Sequence, residues 1–149
     1  MGRLAETAVA RLRTERDETL RSLLGLDDPE CRRTLQWYGR EQSVGHMLRA
    51  FTSHALDHFQ HLHRLLQARG RPITEAQLLL MKAESAQAEL EALLLSLSDE
   101  ELTRTGPNEG DWSAAQILDH VIETERRYRA AILGALEVEA PAAKLSRPP

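Results

Sequence analysis

The stretch Leu95-Ser-Leu-Ser-Asp-Glu-Glu-Leu-Thr-Arg-Thr105 has an earlier counterpart in Leu24-Gly-Leu-Asp-Asp-Pro-Glu-Cys-Arg-Arg-Thr34, identical at six of eleven positions. After a one-residue shift, Ser43 and Leu48 answer Ser113 and Leu118. Self-similarity of this kind marks a repeated structural unit. In each half one helical pattern precedes the polar segment and another follows it. The chain therefore reads as two helical hairpins. Two hairpins bury four amphipathic stripes most simply as an all-α four-helix bundle.

The flanking patterns give four long helices. The first covers about residues 3–25, with Leu4, Ala8, Leu12, Leu20, Leu23 and Leu24 on one side. Its charged middle, Arg13-Thr-Glu-Arg-Asp-Glu18, is expected to be solvated, and Asp27-Asp-Pro29 ends it because proline resists continuation inside a helix. The second begins near Ser43, a cap residue, and carries Val44, Leu48, Phe51, Ala55, Leu62 and Leu65 at steps of three and four. It stops at Gly70-Arg-Pro72. The third opens with the capping box Thr74-Glu-Ala-Gln77 and runs to about Ser96. The loop Gly106-Pro-Asn-Glu-Gly110 leads to Asp111-Trp-Ser-Ala-Ala-Gln116, which starts the fourth with another capping box. Its stripe is Ala114, Ile117, Val121, Thr124, Tyr128, Ala131 and Ala135. Residues 1–138 are read as one domain and 139–149 as a disordered tail.

Composition agrees. Of 149 residues, 42% are apolar, 28% are charged and only 4% are aromatic, a helix-forming mixture without period-two runs, so strands are not expected. No apolar run approaches the roughly 20 residues that cross a bilayer, and the first residues lack an apolar signal core. A net charge of −4 argues against a general nucleic-acid surface. The single cysteine, Cys31, cannot form an intrachain disulfide, which fits a reducing cytoplasm, and it is expected to be inert.

Five of the six histidines fall between His46 and His63. In His54-Ala-Leu-Asp-His58 the two imidazoles lie one turn apart on one helix face and can converge on a cation. Position 58 continues the apolar stripe, and an inward imidazole needs a partner. Catalytic zinc sites use three protein ligands and keep one position open. His120, one position before Val121 on the inward flank of the fourth helix, is the candidate third ligand. His46 and His61 extend the face of the pair and are alternatives. The zincin pattern is excluded because Ala55, not Glu, follows His54. The di-iron bundle is excluded because no Glu stands three residues before any His. His63 is expected to face solvent, as are Arg126, Arg127 and Arg129. Trp37, Tyr38 and Trp112 are read as core plugs at one end of the bundle, with a pocket wall as the alternative, and Tyr128 as an inward residue that fills the core or hydrogen-bonds a ligand. A non-catalytic, dimeric, metal-free helical module, with the histidines as packing or pH-responsive groups, is the rival reading.

The segment Ser98-Asp-Glu-Glu-Leu…Asp111-Trp-Ser-Ala-Ala-Gln-Ile-Leu-Asp-His120 resembles the first half of the DinB-like (YfiT-type) metalloenzyme family, where a tryptophan–serine helix start precedes the first metal histidine. Ser53-His-Ala-Leu-Asp-His-Phe-Gln60…Leu65-Leu-Gln-Ala-Arg-Gly70 resembles that family's second half, where His-x-x-x-His supplies the other two ligands. The likeness spans about residues 27–135. The halves stand in reversed order, as in a circular permutation. The resemblance implies a four-helix bundle, His54, His58 and His120 as metal ligands, a divalent ion such as zinc or nickel, and a homodimer. Relatives that use low-molecular-weight thiols imply a small-molecule substrate and S-transfer or hydrolysis.

Overall fold

The computed structural model describes residues 2–139, so the expected tail at 139–149 lies outside the described residues but for its first position. The chain is α1 (Arg3–Leu23), α2 (Asp28–Cys31), β1 (Thr34–Trp37), β2 (Arg40–Ser43), α3 (Val44–Ala68), α4 (Glu75–Leu95), α5 (Asp99–Thr103) and α6 (Ala114–Glu139). The all-α class and the four long helices are as expected; α2, α5 and the small hairpin β1–β2 are additions. Contacts gather into two units, Met1–Ser96 and Leu97–Pro149.

In the first unit, α3 ends in the motif its glycine permits. Gly70 has φ 69°, Gly70 N donates to Gln67 O at 2.9 Å, and Arg71 N donates to Leu66 O at 2.9 Å. These bonds satisfy the last carbonyls of α3, with glycine carrying the left-handed turn at little cost. Thr74 and Gln77 then close the expected capping box on α4. The charged middle of α1 is not wholly solvated. Arg16 donates to Glu91 of α4 at 2.7 Å, and Arg13 pairs with Glu84 at 3.8 Å, so α1 and α4 run parallel here. Both pairs are exposed enough that each contributes no more than about 1 kcal/mol.

The hairpin contradicts the expectation of no strands. Thr34 pairs with Ser43 and Trp37 with Arg40, around a two-residue turn with positive φ at Tyr38 (49°) and Gly39 (73°). Such a turn matches the natural twist of paired strands. Strands of four residues are too short to show a period in sequence. Trp37 and Tyr38 are therefore not core plugs. Their rings meet edge to face at 4.9 Å on this hairpin, and Tyr38 is 89% exposed.

The segment from α5 to α6 repeats the one from α2 to α3. Asp27 and Glu30 form a capping box on α2, and Ser98 and Glu101 form the matching one on α5. Thr34 pairs with Ser43; Thr105 forms an isolated antiparallel bridge with Ser113. Ser43 accepts from His46 N at the start of α3, and Ser113 accepts from Gln116 N at the start of α6. The repeat seen in sequence is thus a repeat of caps and bridges. Ser98 donates to Glu101 through both its backbone N–H (2.8 Å) and its hydroxyl (2.7 Å), which holds the Glu101 carboxyl below the ordinary glutamate value. Arg104 adds to the effect. A carboxyl with a depressed folded pKa stabilises above its unfolded pKa, and that contribution disappears as pH falls through the folded value. An NMR titration of the full chain should therefore place Glu101 below the ordinary glutamate value, and Ser98→Ala should raise it.

Within each unit the apolar side chains stay open to solvent in the described residues. Among these, only Ser113 is buried, at 4% exposure, and residues 51–62 of α3 are exposed throughout. Tyr128, expected inward, is 68% exposed. Each unit is too small to cover its own apolar faces.

Candidate metal centre

α3 presents the histidine pair. Ser43 caps the helix, and its regular turns carry His54 and His58 to one face. Their Nε2 atoms stand 3.1 Å apart, with ring centroids at 4.5 Å and planes crossing at 81°. Two nitrogens bound at 2.0–2.1 Å to one tetrahedral or octahedral cation stand roughly 2.8–3.4 Å apart. The pair therefore fits two neighbouring positions on one ion. It also fits a hydrogen bond between neutral imidazoles, one ring donating and the other accepting.

The alternatives separate. His61 stacks beside His58 at 6.5 Å and 29°, whereas His46 sits at the start of α3, about 12 Å along the axis from His54. His63, expected in solvent, is half-buried and lies 6.2 Å from Phe59. Both line a 520 Å³ groove between α3 and α4 that includes Leu62, Leu66, Leu80 and Met81. The 3.6-residue pitch turns position 63 toward the α4 side of the helix, and a stripe drawn through position 58 hides this. Arg126, Arg127 and Arg129 are exposed as expected, and the Arg127 Nε donates to Glu123 one turn away at 2.9 Å on that face.

His120 lies on α6, where its ring meets Trp112 edge to face at 5.1 Å and 67°. Trp112 is 51% exposed, so it is a ring partner of His120 and not a core plug. The residues that deliver it escaped the sequence reading. Asp111 accepts from both the backbone N and Nδ2 of Asn108, each at 2.9 Å, and donates its own backbone N–H to Asn108 O at 3.2 Å. A Cβ at Gly106 would lie 2.5 Å from Asp111 Oδ2 and 2.6 Å from its Cβ. Only glycine fits there. Within either unit, no three His, Cys, Asp or Glu side chains gather into a cation cluster among the described residues.

Comparison with protein families places the DinB superfamily on this stretch. Residues 82–149 match the DinB superfamily. The DinB match takes in α5, the loop before α6, Trp112, Ser113 and His120, so the resemblance drawn on those residues stands. The segment bearing His54 and His58 precedes the DinB match. No curated protein and no solved structure matches the chain. Among the described residues, no helix is long and apolar enough to cross a membrane.

Proposed function

We propose that the chain is a metal-dependent enzyme of the DinB type, one domain over residues 1–138, in which His54, His58 and His120 hold one divalent cation, zinc or nickel. The observation that supports this is the convergence of His54 Nε2 and His58 Nε2 at 3.1 Å, a spacing that suits adjacent ligands on one ion. Three neutral nitrogens leave the cation its full charge and one position open. When bound, such an ion supplies Lewis acidity that lowers the pKa of a water or a low-molecular-weight thiol held beside it. The proposed reaction is S-transfer or hydrolysis on a small-molecule substrate. A homodimer would cover apolar side chains such as Phe51 and Leu62, each 54% exposed. A cytoplasmic setting suits the free thiol of Cys31.

The test is metal analysis of the purified full chain. One equivalent of zinc or nickel is expected, falling to background in His58→Ala. Absence of metal, or retention of it by His58→Ala, overturns the proposal. The second reading is a metal-free, dimeric, non-catalytic module. It is favoured by the same 3.1 Å contact read as a hydrogen bond that satisfies both imidazoles.

A further inference from the structure

We infer that Trp112 is a positioning residue for His120, fixing the plane of the imidazole before a cation arrives. The inference rests on reading His120 as a metal ligand. The two rings meet in the edge-to-face geometry that aromatic pairs prefer, 5.1 Å between centroids and 67° between planes. Sequence distance alone does not produce this contact. Trp112 precedes α6, and its indole meets the ring of the seventh residue of that helix.

The backbone on both sides of Trp112 is clamped. Asp111 is held by Asn108 through three hydrogen bonds and pressed against Gly106. Ser113 is bridged to Thr105, donates its backbone N–H to Gln116 Oε1 at 2.8 Å, and accepts from Gln116 N at 3.2 Å. Ser113 is also the single buried residue among those described. A stretch hydrogen-bonded on both sides therefore presents an exposed indole to an exposed imidazole. The indole N–H is a donor only and cannot ligate, so what Trp112 contributes is orientation. A free histidine on a helix surface loses side-chain rotation when it binds a cation, and a ring already held against Trp112 has less to lose. His54 and His58 restrain each other in the same way. Each histidine of the proposed set thus has an aromatic ring at its side.

The experiment is a nickel titration of the full chain by calorimetry in wild type, Trp112→Ala and Trp112→Phe, with NMR of the imidazole C–H resonances in the metal-free state. Trp112→Ala should bind nickel roughly 10–100-fold more weakly, the range seen when groups that orient ligands are removed. Trp112→Phe should recover most of that loss. In Trp112→Ala the His120 resonances should lose the ring-current shift of the indole, while those of His54 and His58 stay in place. Equal nickel affinity in wild type and Trp112→Ala overturns the inference and leaves the metal reading intact. Unmoved His120 resonances overturn it too. Matching shifts at His54 and His58 with a lowered melting temperature would reveal a general structural role and likewise overturn it. If the wild type takes up no nickel, the metal reading itself fails and the inference with it.

Discussion

Removing metal from the zinc-loaded protein should lower its melting temperature by roughly 5–10 °C. A ligand that binds only the folded chain stabilises it by about 2.7 kcal/mol when present at a hundredfold excess over its dissociation constant. For a chain of this length, 1 kcal/mol moves the midpoint by roughly 2–4 °C. The proposed ligands come from α3 and α6, far apart in the chain, so the unfolded state offers no preformed site. His58→Ala and His120→Ala should each melt at the same temperature with zinc and with chelator. The pair alone cannot produce that pattern. If only His54 and His58 held the ion, His120→Ala would keep the zinc-dependent rise. If the 3.1 Å contact is only a hydrogen bond, chelator changes nothing in any variant. Differential scanning calorimetry of the wild type and the two variants, with and without chelator, separates these outcomes.

The large features of this fold were written in local chemistry, and local chemistry is what sequence displays. Thr74 with Gln77, Ser113 with Gln116, and Gly70 before Arg71 and Pro72 each place a helix end by bonds within a few residues. The repeat was legible for the same reason, because its identities include the cap glutamates Glu30 and Glu101 and the bridging threonines Thr34 and Thr105. The hairpin around Tyr38 and Gly39 was not legible, since four-residue strands carry no period and positive φ at tyrosine has no sequence mark. The burial assignments failed differently. Periodicity names an apolar stripe but not what covers it. Phe51 and Tyr128 lie on such stripes and remain exposed. Of the candidate site, the His54–His58 contact followed from spacing alone. The contact of Trp112 with His120 did not, because it depends on a loop whose shape is set by Gly106 and Asp111.

That loop is where a single methyl group should matter most. Gly106→Ala should destabilise the segment from α5 to the start of α6 by about 2 kcal/mol, combining overpacking with loss of hydrogen bonds to a carboxylate. The new Cβ would sit 2.5 Å from Asp111 Oδ2, 2.6 Å from its Cβ and 2.9 Å from its Cγ. Those separations are well inside van der Waals contact, so Asp111 must move. If its carboxylate swings away, both 2.9 Å bonds from Asn108 are lost. If its backbone moves, Trp112 and Ser113 move with it. Asp111→Ala removes the carboxylate but keeps the Cβ, so it should relieve only part of the clash. The double variant Gly106→Ala, Asp111→Ala should therefore cost less than the sum of the two singles, by at least about 0.5 kcal/mol, as expected for residues in direct contact. Denaturant unfolding gives the sums, and hydrogen exchange at the amides of 114–118 locates the loss at the start of α6. A cost below about 0.5 kcal/mol for Gly106→Ala, the level of an ordinary surface substitution, would mean that the loop yields freely. Trp112 would then be held only by its ring contact and by the bonds of Ser113.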